Sequence, residues 1–255
     1  MKATIIKTSM AAMLGLALMG ASMGHLQAAE LKVLAGGALT GVLGDLGPKF
    51  ERDTGHKLTI KFAATPDLIK AATSGEPFDL GVTPVDVFQN AEARAKFAAG
   101  PAINIARVGF GVAVKAGAPK PDIGTPEAFK AALLNAKSVA VLPASAAGAY
   151  VTKVFERLGI AAQMDAKALK QTAPAGVPQA VAKGDAELGV FLTNVLTAPG
   201  VELAGSFPGD LQNDLVFAAA LAASTKEQAA AKAFIDYLQT PASQATIKAK
   251  GMKAG

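Results

Sequence analysis

The chain has 255 residues, of which 51% are hydrophobic, 18% charged and 5% aromatic, with no Cys, no Trp, two Tyr and two His. It is too apolar and too weakly charged for a disordered chain, and the absence of Cys removes disulfides, thiolate nucleophiles, iron–sulfur clusters and thiolate zinc sites. The net charge of +5 lies on lysines scattered among acids, without a basic stripe carrying aromatics, so no nucleic-acid partner is expected.

The first 28 residues read as a cleaved export signal. Lys2 and Lys7 precede an apolar run from Met10 to Met19, and the chain turns small and polar before Glu30. The run is shorter than the roughly 20 residues a membrane span needs, which disfavours a membrane-anchoring helix. Cleavage is expected after Ala28 or Ala29, giving a soluble periplasmic protein. Losing two lysines and no acid leaves 23 basic against 20 acidic residues. Only His56 then remains, so a His-based triad or multi-His metal site is hard to build, and carboxylate-only sites are the metal option left. No catalytic residue, metal or cofactor is expected.

Leu31 to Ala35 is a short apolar strand, followed by Gly36 and Gly37 and by a helix whose apolar face carries Leu39, Val42, Leu43, Leu46 and Phe50. Lys57 to Phe62 alternates polar and apolar residues as a strand does. Thr65-Pro66-Asp67 opens a helix with a capping hydroxyl, a proline and an acid. A third strand, Asp79 to Val82, leads into a similar opening at Thr83-Pro84-Val85-Asp86. Three strand-to-helix turns in succession imply a parallel sheet flanked by helices.

Val108 to Val114 is apolar, and the proline- and glycine-rich segment from Ala116 to Pro126 marks a composition shift. A second set follows: strand Ser138 to Leu142, a helix from Ala146 to Leu158, a helix from Val177 to Lys183 and strand Glu187 to Leu192. Leu215 to Leu221 is a late strand, and Lys226 to Leu238 and Pro241 to Lys250 are terminal helices. This rhythm predicts an α/β protein of two lobes, each a sheet flanked by helices, joined by two hinge crossings near Arg107 to Val114 and Gln212 to Leu221. Lobe I takes residues 29–105 plus 216–255, and lobe II takes 106–215. Ligands of open α/β sheets bind beyond the carboxyl ends of the strands, where helix N-termini offer backbone N–H groups to anions.

The segments Leu34 to Thr40, Phe62 to Leu68, Gly75 to Leu80, Ala147 to Tyr150, Glu187 to Phe191 and Phe234 to Leu238 resemble the periplasmic molybdate-binding proteins of ABC importers. The resemblance runs from about Glu30 to the C-terminus. It implies a monomer that captures a small anionic solute between the lobes and delivers it to an ABC permease in the inner membrane. Its ligand motif departs from the family. The first-turn Ser hydroxyl falls on Ala38, the second Ser on Thr65, a backbone N–H donor on Pro84, which has none, and a Tyr on Leu192. A further backbone donor falls near Pro174. An organic carboxylate is therefore expected; a molybdate- or tungstate-binding transport protein, a hydrolase on the same scaffold and a sensor serving a receptor are the alternatives.

The ligand contacts expected are Gly36, Gly37, Ala38, Thr65, Pro84, Ser145, Thr193 and Asn194. Thr65 reads equally as a helix cap, Ser145 as a hydroxyl donor at a helix start, and Thr193 and Asn194 as cleft residues or loop formers. Thr83 reads as a cap, and Asp79 and Asp86 as capping or structural acids. Arg107 reads as an ion-pair partner that could also reach a carboxylate, Tyr150 as a core residue and His56 as an exposed turn residue.

Overall fold

The computed structural model describes residues 28–255; most of the expected export signal lies outside them. The strands are β1 (Glu30–Gly36), β2 (Lys57–Ala63), β3 (Leu80–Pro84), β4 (Ile103–Lys115), β5 (Val139–Val141), β6 (Ala168–Lys170), β7 (Leu188–Leu192), β8 (Val201–Ser206), β9 (Asp214–Leu221) and β10 (Lys253–Ala254). The helices are α1 (Thr40–Thr54), α2 (Thr65–Thr73), α3 (Val85–Gln89), α4 (Ala91–Arg94), α5 (Pro126–Asn135), α6 (Ala146–Arg157), α7 (Ala161–Lys167), α8 (Gly176–Lys183), α9 (Gln228–Gln239) and α10 (Pro241–Ala249).

The strands join in the order β2-β1-β3-β9-β4-β7-β5-β6, with β8 and β10 also on β4. β1 is parallel to β2 and β3, and β5 is parallel to β6 and β7, while β9 and β4 are antiparallel to their neighbours. Each parallel group is fed by crossover helices, as the β/α rhythm implied. The two groups meet on β4, which changes company halfway along. From Ile103 to Gly109 it pairs with β9, and Ala106 and Arg107 also pair with β10; from Phe110 onward it pairs with β7 and β8.

Side chains alternate across β1 as a strand dictates. Leu31, Val33 and Ala35 enter one core with Val42, Leu46 and Phe50 of α1 and Phe234 of α9, while Leu34 enters a second core with Leu68, Ala71, Phe78 and Phe97. Helices thus cover both faces of β1 and of its parallel neighbour β3, which is buried throughout, while β2 stays at the partly exposed edge.

The switch in β4 is pinned from the return segment between β8 and β9. Phe110 N–H donates to Gln212 Oε1 and Gln212 Nε2 donates to Phe110 C=O, both at 2.9 Å. The Gln212 amide therefore substitutes for a strand residue where the ladder changes hands. Tyr150 Oη donates to Leu211 C=O at 2.9 Å, and its ring packs on Phe110 at 4.7 Å, in keeping with a core role. Arg157 holds Asp210 at 2.6 Å.

His56 corrects an expectation. It is 3% exposed, its Nδ1 accepts the N–H of Ala29 at 3.1 Å, and its ring stacks on Phe50 at 5.9 Å. The parallel pairing of Glu30 with Lys57 brings the residue before β2 against the residue before β1, and that non-local pairing buries the ring.

Candidate functional site

The β1 turn, the start of α2, the end of β3 and the start of α6 meet at one small cavity. Its walls include Gly36, Gly37, Ala38, Thr65, Pro84 and Ser145. Six of the eight residues expected from sequence are thus brought together. Pro174, Leu192 and Phe217 close it, and the space inside is about 20 Å³, room for little more than one water.

Each wall has a local cause. A Cβ on Gly36 would stand 2.6 Å from the Phe217 ring, and one on Gly37 would stand 3.0 Å from Pro174. The two glycines let the walls close on the backbone. Pro84 ends β3 as the N-cap of α3 and brings no N–H. Thr83 beside it is fully buried, and its hydroxyl donates to Pro84 C=O at 3.3 Å rather than capping the helix.

Thr65 is not the cap of α2. That position belongs to Ala64, and Thr65 is the first helical residue. Its Oγ1 instead accepts the N–H of Ala146, at the start of α6, at 3.0 Å. Ser145 behaves differently: it caps α6, accepting from Gly148 N–H and donating to Leu142 C=O, both at 2.9 Å. The orphan donors of a helix start must find acceptors, and here the Ala146 donor finds one on the opposite side of the cavity. No described residue accepts from Ala147 N–H.

The remaining candidates lie elsewhere. Thr193 folds back on β4, its N–H and Oγ1 both donating to Gly109 C=O at 3.0 and 3.3 Å. Asn194 donates from Nδ2 to Ala38 C=O at 2.8 Å, while its Oδ1 is buried without a partner. Arg107 donates to Ala254 C=O at 3.1 Å and lies 4.0 Å from Asp214, so it serves the C-terminal strand. Asp79 accepts from Lys32 N–H and from the Thr225 hydroxyl at 2.8 and 2.7 Å, a structural role.

Pro174 and Phe217 are wall residues whose side-chain closure sequence reading missed. Both come from segments far from the turns they cover; the resemblance marked the neighbourhood of Pro174 for a backbone donor, and nothing marked Phe217. None of the residues lining this cavity carries an ionisable side chain. Among the described residues, no cluster of three or more His, Asp or Glu is placed to hold a metal.

These features can be set against known proteins. The model of the bacterial extracellular solute-binding protein family matches residues 31–253. An aconitate isomerase from a Pseudomonas species is 31% identical over 88% of this chain and 87% of its own length. The molybdate-binding protein ModA of Azotobacter vinelandii is 29% identical over 88% of this chain and 90% of its own. The solved periplasmic molybdate-binding protein of that organism superposes with a TM-score of 0.73, at 22% identity, over 88% of this chain and 99% of its own. With its two-lobed α/β architecture and its cavity at converging helix starts, the chain belongs to the bacterial extracellular solute-binding proteins, of the kind that serve ABC transporters.

Proposed function

We propose that this protein is the periplasmic binding component of an ABC importer and captures a small organic carboxylate between its lobes. The observation that carries the reading is the make-up of the cavity: the α6 start, where Ala147 N–H has no acceptor, within walls of Ala38, Pro84, Leu192 and Phe217. Backbone donors at helix starts favour negative charge. Apolar walls favour a carbon skeleton once the cavity opens, since the space as it stands takes little more than a water. By the resemblance to molybdate binders, Ala38 and Pro84 fall where a tetrahedral oxyanion would find donors, and each missing charge-assisted hydrogen bond costs about 1.5 to 3 kcal/mol.

The lobes are taken as residues 29–105 with 216–255, and 106–215, hinged where β4 changes partners and at the return held by Gln212. Ligand bridges the α2 and α6 starts and biases the hinge toward the closed form that the permease reads. The protein acts as a monomer after removal of its leader. Molybdate or tungstate binding is the competing ligand assignment.

An isomerase is the second reading, favoured by the relative of that name. It would move a proton and needs a base at the substrate carbon, whereas the cavity walls carry no titratable group; capture without turnover is therefore preferred. The relative's name also supports a carboxylate of several charges. Calorimetric titration with propane-1,2,3-tricarboxylate, succinate and molybdate tests the ligand class. Submicromolar molybdate binding with none of the carboxylates overturns it. Proton NMR of cis-aconitate incubated with the protein tests the isomerase, whose product would be the trans isomer.

A further inference from the structure

A second space adjoins the cavity. It is a groove of about 570 Å³ between the start of α1, helix α8, the loop after β7 and the turn after α10, within the usual range for a small-molecule site. Gly37, Ala38 and Pro174 line both spaces. The partition between them is therefore the close approach of Pro174 to Gly37, together with the Asn194 to Ala38 hydrogen bond.

We infer that the two spaces form one bipartite ligand site, in which one carboxylate sits at the α2 and α6 starts and the remainder of a di- or tricarboxylate runs past Gly37 into the groove. This rests on the carboxylate reading above. The inner cavity, at about 20 Å³, holds no carbon chain as it stands, while the groove is large enough for one. The groove also has a charge to receive a second carboxylate. Lys250 is the one ionisable residue in its wall, and its ammonium lies 2.8 Å from Asp45. Asp45 follows Gly41 by one turn of α1; it meets Lys250 without itself lining the groove.

Asp45 neutralises Lys250 at present, and a ligand carboxylate would share or displace that pairing. The partition has a weak point of its own. Asn194 Oδ1 is buried with no donor, an unfavourable state, so shifting this amide into water relieves it. Such a partition yields more readily than a fully bonded wall.

The test is calorimetric titration of the purified protein with propionate and propane-1,2,3-tricarboxylate, in wild type and in Gly41→Phe, Lys250→Met and Asp45→Asn. A Cβ at Gly41 meets nothing within 4 Å, so Phe there fills the groove without a backbone clash. Lys250 and Asp45 are half-exposed and tolerate neutral replacements. Gly41→Phe and Lys250→Met should each weaken tricarboxylate binding about tenfold or more, the loss of one charge-assisted contact or of its space. Asp45→Asn should strengthen it several-fold, and propionate should stay within about threefold in all three. If the wild type binds propionate as tightly as tricarboxylate and the variants move neither, the bipartite site is overturned and the carboxylate reading stands. If neither acid binds the wild type, both fall together.

Discussion

The starts of α2 and α6 face each other across the cavity, and each has a hydroxyl residue at its opening, yet the two hydroxyls do opposite work. Ser145 closes on its own helix, joining Gly148 N–H to Leu142 C=O. Thr65 leaves its own helix uncapped and reaches across to Ala146. One hydroxyl serves its own helix and the other ties α2 to α6. Residue type at a helix opening therefore does not by itself tell a cap from a cleft contact. What decides is whether the residue stands one position before the helix, as Ser145 does, or inside its first turn, as Thr65 does.

The sharpest way to break the α6 side is Gly148→Ala. The new Cβ would run into the Leu142 carbonyl, whose oxygen also holds Ser145. Overpacking of this kind costs about 3 kcal/mol. For a chain of this size that lowers the melting temperature by roughly 10 °C, measurable by differential scanning calorimetry. A wild-type melting temperature would show that the α6 start yields freely.

On the α2 side, Thr65→Ala should weaken carboxylate binding by about 1 to 3 kcal/mol and lower thermal stability by a smaller amount, since Ala146 N–H loses its acceptor. Titration and calorimetry on one preparation separate the two effects. Equal losses in both would make Thr65 a structural residue only. Ser145→Ala should give the reverse pattern, a loss of about 1 kcal/mol in stability with affinity within about threefold of wild type. Thr65→Ser is the mildest change. It keeps the hydroxyl, so affinity should fall less than in Thr65→Ala, and a loss as large as that of Ala would assign the effect to the methyl group's packing.

Parts of this comparison were legible in the sequence. Gly36, Gly37, Ala38, Thr65, Pro84 and Ser145 each sit at a strand end or helix start. Turn chemistry marks such positions locally, and parallel topology then sends the strand ends within each group to one edge. Asn194 and Thr193 looked similar, but the loop after β7 folds back along β4, placing Asn194 on the groove and tying Thr193 to Gly109. Strands β6, β8 and β10 were not legible, because three-residue, glycine-bearing and two-residue segments have too little pattern of their own and are strands only through their partners. The first half of β4 was missed for the same reason: Ile103 to Arg107 mixes exposed and buried residues, because its environment changes along its length.

By itself, then, the sequence determined the β/α order, the helix starts and the lack of an N–H at Pro84, since these follow from periodicity, proline and side-chain chemistry within a few residues. The tertiary structure alone decided that Thr65 reaches across to α6, that His56 is buried, that Pro174 and Phe217 close the cavity and that a groove adjoins it. Those outcomes depend on contacts between residues far apart in the chain, whose geometry no local pattern encodes.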